Sequence, residues 1–284
     1  MLSAILTFAQ NFAWKVLWVG SVFLVVELLL PASTYSLYSR IRGYFFWLVN
    51  IAITATALTI FSSNFARLGV QPLFSFQPYQ FLDSGIDALL PAEMAVSLVM
   101  GNWVVMFFYY WFHRLQHSNR FLWRFHRVHH SIREMSALNC NHHFTEEIFR
   151  IPFIVLPLSF IVGVEFGPVP WLVATIFSMQ PLFEHSCTRL NFGLLRYLIC
   201  DNRFHRIHHS IEPAHWNKNF GSFTPLWDIV FGTAHFPRPE EWPDTGVEGV
   251  TEPASLADML LAPFRSAGVS VTPAIVDRLE SGGQ

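Results

Sequence analysis

Histidine is the residue type whose number and spacing in this chain most strongly suggest chemistry. The 284 residues contain thirteen histidines, and all but one of them lie between His113 and His215. Neutral imidazole binds iron, zinc, copper and nickel alike, so the residue type does not name the metal. The clustering nevertheless predicts a metal centre in the middle of the chain.

The spacing of these histidines is that of ligands on helices. His113 and His117 are four residues apart, which places both imidazoles on one helix face and lets one ion bind both. Two further clusters repeat the spacing i, i+3 and i+4, and their members are His126, His129 and His130, and His205, His208 and His209. Adjacent histidines diverge by about 100° around a helix, so each adjacent pair can serve two different ions.

The second and third clusters are copies of one octapeptide. FHRVHHSI at Phe125–Ile132 and FHRIHHSI at Phe204–Ile211 differ only at Val128 and Ile207. The three clusters contain eight imidazoles, more than the roughly four to six positions around one transition metal. The sequence therefore predicts two metal ions. None of the clusters contains HExxH, which argues against a metalloprotease.

The composition indicates that these clusters belong to a membrane protein. The chain is 52% hydrophobic and 13% charged, whereas ordinary soluble domains are about 45–50% apolar and about 25% charged. A net charge of −2 gives no reason to expect a nucleic-acid partner. The three cysteines, Cys140, Cys187 and Cys200, fit no metal-binding spacing and are expected to be reduced.

Five apolar stretches predict the elements that carry the histidines. They cover residues 3–30, 44–61, 94–112, 148–166 and 169–183, and the last two are separated by a Gly- and Pro-containing turn that predicts a hairpin. The third stretch leads directly into His113. Glu27, near the end of the first stretch, is expected at the membrane interface. We predict an all-α integral membrane protein with about four to five membrane helices and a histidine-rich helical cap.

The distribution of basic residues predicts which side of the membrane carries the cap. Arg40 and Arg42 lie in the first loop, whereas the loop at 64–91 has Arg67 against Asp83 and Asp87. Because short cytosolic loops are enriched in Lys and Arg, the first loop is expected in the cytosol. Counting membrane passages forward places every histidine cluster on the same side, in a multi-pass membrane protein.

These motifs resemble one family in their order and spacing. HRLQH, then LWRFHRVHHS, then RFHRIHHS followed by NKNFGSFTPLWDIVFGT are similar to the fatty acid hydroxylase and sterol desaturase superfamily. The resemblance covers roughly Val104 to Pro237. It implies a catalytic domain at 94–237, preceded by membrane helices and their loops at 1–93 and followed by a polar tail at 238–284. It also implies a cytosolic cap, two irons and molecular oxygen.

The resemblance also implies roles for individual residues. It carries metal-ligand roles onto the eight clustered histidines, onto His185 in FEHS and onto His143, for which a role in orienting a ligand is equally open. Glu146, Asn219 and Asp228 are expected to hydrogen-bond the free nitrogens of ligating imidazoles. His142 is expected to be structural, and His215 either caps the site or lies at the surface. Some relatives have a further histidine where this chain has Arg189, which leaves the ligand count open.

We therefore predict an oxygen-dependent diiron enzyme that hydroxylates or desaturates a lipid, which is a fatty acyl, sterol-like, isoprenoid or ether lipid. Zinc is expected to replace iron readily in purified protein, because imidazole binds both. The chain contains no flavin or haem-attachment motif, so an external donor such as a ferredoxin or cytochrome b5-like protein is expected. The alternative is a histidine-rich metal transporter or metal-binding membrane protein, which would place its ligands near the bilayer midplane rather than in Arg-rich segments.

Overall fold

The computed structural model describes residues 17–86, 89–165 and 179–265, and this part of the chain is mostly helical. Three helices contain most of its apolar sequence. They are α1, described over Leu17–Leu29, α2 at Leu37–Phe65 and α4 at Leu90–Ser118. α4 runs without a break from apolar sequence into HRLQH, so it carries the first two histidines of the centre.

Shorter elements complete the fold. They are α3 at Pro78–Leu82, α5 at Arg120–His130, α6 at Thr145–Arg150, α7 at Leu156–Phe160, α8 at 179–185, α9 at Asn202–His208, α10 at Leu226–Val230 and α11 at Leu256–Leu261. Two three-residue strands, β1 at Phe74–Phe76 and β2 at Val162–Val164, pair in parallel with Phe74 opposite Val162. The octapeptide copies thus lie on α5 and α9.

Two of the described helices are long and apolar enough to cross a membrane. They are Leu37–Phe61 and Leu90–Ser118, and only 7% and 28% of their apolar windows are buried inside the protein. A membrane helix needs about 20 predominantly apolar residues. Both helices coincide with predicted apolar stretches, and their outward-facing apolar surface is of the kind that a bilayer covers.

The fourth predicted membrane helix is shorter than expected. α6, a π-helical turn at Ile151–Val155 and α7 form one helical stretch that ends at Phe160, after which β2 begins. Pro152 and Pro157 each remove a backbone donor from this stretch, which loosens the helix. A helix through residue 166 was therefore wrong, and most of the predicted hairpin, residues 166–178, lies outside the described residues.

Glu27 is buried rather than interfacial, so that expectation was also wrong. Its carboxylate forms an ion pair with Arg40, and the two residues are 1% and 3% exposed. The same carboxylate accepts hydrogen bonds from the backbone N–H groups of Ala137 and Cys187, both at 2.9 Å. Glu27 thereby fastens α1 and α2 to the two loops that lead to the histidines.

Removing Glu27 is expected to destabilise the protein strongly. Glu27→Ala leaves the Arg40 guanidinium buried without its partner and frees two backbone donors. Breaking a buried ion pair in this way costs about 3–5 kcal/mol. Chemical denaturation of the purified protein in detergent should show that loss in the free energy of unfolding.

A double variant separates the unpaired charge from the loss of packing. Glu27→Gln with Arg40→Met removes both charges, so it should recover most of the stability lost in Glu27→Ala. A Glu27→Ala protein as stable as the wild type would show that the ion pair does not hold these segments together.

The C-terminal segment packs against the octapeptide helices through the arginine that each copy contains. Arg127 donates to the carbonyls of Ala262 and Arg265 at 3.2 and 2.6 Å. Arg206 donates from Nε to the carbonyl of Pro243 at 2.7 Å and lies 4.4 Å from the ring centre of Trp242. The polar tail is therefore fixed to the cap as far as it is described.

Candidate metal centre

Each octapeptide is placed on a helix by a capping side chain just upstream of it. The Asn119 carboxamide oxygen accepts from the backbone N–H groups of Phe121 and Leu122, at 3.0 and 3.1 Å, at the start of α5. The Asp201 carboxylate accepts from the N–H of Phe204 at 2.9 Å at the start of α9. Such caps satisfy donors that the first helical turn leaves free, and the helical spacing of the histidines follows.

The structure brings nine histidines into two buried groups, whose ligand atoms lie within 4.8 Å of one another in each group. Group one consists of His113, His117, His126, His130 and His208. Group two consists of His129, His185, His205 and His209. His185, which the motifs left uncertain, is therefore near the other predicted ligands.

The two octapeptides exchange roles between the groups. The first copy supplies its first and last histidines, His126 and His130, to group one and its middle histidine to group two. The second copy does the reverse, since its middle histidine, His208, joins group one. Adjacent histidines thus point to different groups, as their divergence around a helix predicts.

Hydrogen bonds fix which nitrogen carries the proton in group one. His113 Nδ1 lies 2.6 Å from the carbonyl oxygen of Phe220, and His126 Nδ1 lies 3.0 Å from Glu146 Oε2. A carbonyl or a carboxylate only accepts, so both Nδ1 atoms donate and both Nε2 atoms present a lone pair. Those two Nε2 atoms are 2.9 Å apart.

Group two has the same arrangement. His185 Nδ1 lies 2.7 Å from the carbonyl of Pro181, and His129 Nδ1 lies 3.3 Å from the carbonyl of Asn141. Their Nε2 atoms therefore also present lone pairs, and they are 3.3 Å apart. His205 Nε2 continues the cluster at 3.0 Å from His185 Nε2.

These facing lone pairs fit bound cations. Burial lowers the pKa of His129, His130, His205 and His209 well below the usual range of imidazole, and it lowers the pKa of His185 to about 4. Protonation at neutral pH therefore does not relieve the repulsion between the facing Nε2 lone pairs. A metal ion does, and ligand nitrogens about 2.0–2.1 Å from one ion lie about 3 Å apart when they are adjacent. Both groups have the donor set that such an ion needs.

His143 lies outside both groups, so its role as a ligand or as a residue that orients one stays a prediction. Its Nδ1 lies 2.7 Å from Thr145 Oγ1, and its ring packs 5.5 Å from that of Phe125. His142, expected to be structural, is the neighbour that turns inward. It stacks on His129 with ring centres 3.7 Å apart and forms a third small group with His126 and Glu146.

Among the predicted supporting residues, Glu146 contacts an imidazole directly. Its Oε2 accepts from His126 Nδ1 and, at 2.8 Å, from Gln116 Nε2. Burial by itself would raise the pKa of Glu146, but the neighbouring imidazoles of His126 and His142 and these hydrogen bonds lower that pKa to about 2. The carboxylate therefore stays ionised and holds the His126 ring.

Asp228 and Asn219 act one step further from the histidines than expected. Asp228 accepts from the N–H groups of Phe220 and Gly221, at 2.8 and 2.6 Å, and so fixes the Phe220 carbonyl that receives His113 Nδ1. Asn219 binds the carbonyls of Phe204 and His235, both at 2.8 Å. The hydrogen bonds of Asp228, on α10, and of Asn219, in the NFG loop, therefore position backbone rather than imidazole.

The contacts that the sequence did not reveal are mostly backbone carbonyls. Phe220, Pro181 and Asn141 each receive an imidazole N–H, and no side-chain pattern marks a carbonyl for that purpose. Gln116, the Q of HRLQH, was also missed. Its position three residues after His113 could have indicated a residue near the site.

A cavity of about 350 Å³ connects α2 and α4 with group two. Trp47 and Thr54 line it from α2, Met106 lines it from α4, and His129 and His185 lie among its walls. It provides space beside the candidate metal ligands on the side of the apolar helices.

The fold and the site define a protein with two histidine groups able to bind metal, next to helices able to cross a membrane. Residues 98–233 match the family model for fatty acid hydroxylase. This part of the chain is therefore a fatty acid hydroxylase domain, as its motifs implied. The matched region includes α5, α9 and every member of the two histidine groups.

Several characterised proteins share this domain. An ornithine lipid hydroxylase from Rhizobium tropici is 32% identical over 77% of this chain and 63% of its own length. An alkylglycerol monooxygenase from Danio rerio is 29% identical over 51% of this chain, and a very-long-chain aldehyde decarbonylase from Oryza sativa subsp. indica is 26% identical over 66%. The chain spans 31% and 28% of the latter two proteins. No solved structure matches significantly.

Proposed function

We propose that this protein is a multi-pass membrane enzyme that uses molecular oxygen and two irons to hydroxylate a lipid. The observation that carries the proposal is the convergence of nine buried imidazoles into two groups whose Nε2 lone pairs face one another. The fatty acid hydroxylase domain and the relatives named above support a lipid-modifying oxygenase.

The histidine groups would hold the metals, one group for each ion. Bound iron would supply the chemistry that side chains lack, which is the reduction of oxygen and the removal of hydrogen from an unactivated carbon. Hydroxylation consumes one oxygen molecule, two electrons and two protons, and it yields an alcohol and one water. Desaturation at the same site would yield an alkene and two waters. The two relatives named as a hydroxylase and a monooxygenase favour hydroxylation.

The chain's own residues would bind and orient the substrate. A lipid entering between α2 and α4 meets the cavity lined by Trp47, Thr54 and Met106, which ends at His129 and His185. Trp47 and Met106 give a lipid chain apolar contacts on the side of the helices, and a cavity of this size leaves it few orientations, which favours reaction at one carbon. The cavity therefore suits a substrate supplied by the bilayer.

The two electrons must reach the site from a separate protein. We propose a ferredoxin or a cytochrome b5-like donor that docks on the cap.

Lipid analysis tests the proposed reaction. Cells that express the protein should contain a lipid with one added oxygen that is absent from cells expressing His205→Ala. A lipid with two hydrogens fewer would assign desaturation instead. Identical lipid profiles at matched protein abundance, with iron and oxygen supplied, would contradict a lipid oxygenase.

Cysteine labelling in intact cells tests the proposed cytosolic position of the cap. Cys140, Cys187 and Cys200 are all buried, so their failure to react with a reagent would not report topology. A cysteine introduced at the exposed Arg124 on α5 should resist an impermeant thiol reagent in intact cells and react after the membrane is opened. Gln71→Cys, in the loop predicted on the far side, should react in intact cells. Reversed labelling of the two positions would overturn the orientation.

A further inference from the structure

A separate cluster of metal-binding side chains lies outside groups one and two. His215, His235 and Glu241 each place one ligand atom within 4.8 Å of the others. They come from the turn at Pro213–His215, from the loop after α10 and from the C-terminal segment. The proposed oxygenase chemistry uses none of them.

The three ligand atoms converge closely. His215 Nε2 is 2.9 Å and His235 Nε2 is 3.1 Å from the same oxygen, Glu241 Oε1. The separations match those of adjacent ligands around one ion with bonds of about 2.0–2.1 Å. Two histidines and one glutamate are also a ligand set that zinc adopts in proteins.

The side chains of His215 and Glu241 are held from behind, as metal ligands usually are, and His235 is held through its backbone. His215 Nδ1 lies 2.8 Å from Ser210 Oγ, and Glu241 Oε2 accepts from the backbone N–H of Arg238 at 2.9 Å. The backbone N–H of His235 donates to Asn219 Oδ1 at 2.6 Å. These contacts leave the two Nε2 atoms and Oε1 pointing at one another.

The cluster is closed on one side and open on the other. The side chain of His215 is 4% exposed, whereas those of Glu241 and His235 are 23% and 34% exposed. An ion can therefore enter from solvent, and water can complete a tetrahedral site.

We propose that His215, His235 and Glu241 bind a zinc ion that fastens the C-terminal segment to the cap. The residues just after Glu241 cover the second octapeptide: Pro243 receives Arg206, and the N–H of Gly246 donates to the carbonyl of His209 at 3.3 Å. An ion bound to Glu241 would hold the start of this covering segment in place. The site lies at the solvent-facing side of the cap and differs from the two oxygenase sites.

Zinc titration of the purified full-length protein tests the site. With groups one and two already loaded with metal, the wild type should bind one further zinc ion, and His235→Ala and Glu241→Gln should each bind it with Kd raised more than about 100-fold. Losing a supporting residue alone costs about 10–100-fold in metal affinity, and these variants lose a ligand. Glu240→Gln removes a neighbouring exposed carboxylate and should bind zinc like the wild type.

Two further measurements separate this site from the proposed function. His205→Ala, which damages group two, should still bind this zinc ion, so the result does not depend on oxygenase activity. Zinc should also slow proteolysis of residues 238–247 in the wild type but not in His235→Ala. Equal zinc binding by the wild type and both site variants, or no effect of zinc on proteolysis, would show that the three side chains form only a hydrogen-bonded cluster.

Discussion

Replacing either His129 or His208 by alanine is expected to reduce turnover to the background of cells without the enzyme. The two residues occupy the same position in the two octapeptides, yet they belong to opposite groups. His129→Ala should therefore lower metal binding in group two, and His208→Ala should lower it in group one. If both metals act as one unit, the loss of either stops oxygen activation, and the double variant should be no less active than each single variant.

Iron analysis and lipid analysis of the same membrane preparations check this prediction. Arg124→Ala, on the exposed side of the same helix as His129, should retain wild-type activity and iron, since most surface substitutions cost within about 0.5 kcal/mol. Protein abundance must be matched, because metal loss can also weaken the fold. A fully active His208→Ala enzyme with normal iron would show that the second octapeptide is structural.

The second large effect is expected at Glu146, which holds the His126 ring through Nδ1. Glu146→Ala frees that nitrogen and Gln116, so His126 can exchange its proton between nitrogens and turn away from group one. Supporting residues of this kind are worth about 10–100-fold in metal affinity or activity. We expect losses in that range in both iron affinity and turnover.

Glu146→Gln distinguishes a role of Glu146 in orienting the His126 ring from a role in packing alone. The amide oxygen can still accept the His126 proton, so this variant should recover much of what Glu146→Ala loses. A merely structural role would lower stability in both variants without changing iron affinity in the folded protein. Wild-type iron affinity in Glu146→Ala would show that His126 is oriented by its packing alone.

The helical part of the site could be predicted because helix geometry is local. In HRLQH and in the two octapeptides, histidines three or four residues apart must share a helix face, and adjacent histidines must point in different directions. The structure agrees, since His129 and His130 enter different groups. The two apolar helices were predictable for the same reason.

The choice between His142 and His143 could not be made in this way. Both residues lie in irregular backbone between Ser131 and α6, where no fixed period relates sequence position to direction. Burial of Glu27 against the N–H of Ala137 and the hydrogen bond from Asn141 Nδ2 to the carbonyl of Gly43 set the path of this loop. These contacts come from α1 and α2, far away in the sequence.

The sequence by itself determined the histidine clusters, their helical spacing and the fatty acid hydroxylase domain, because these depend on residue identity and on the local geometry of a helix. Only the tertiary structure decided which imidazole belongs to which group and which nitrogen carries its proton. Those properties depend on the carbonyls of Phe220, Pro181 and Asn141, which reach the histidines only after distant segments pack together. Every peptide unit carries such a carbonyl, so its use is set by position in space rather than by residue type.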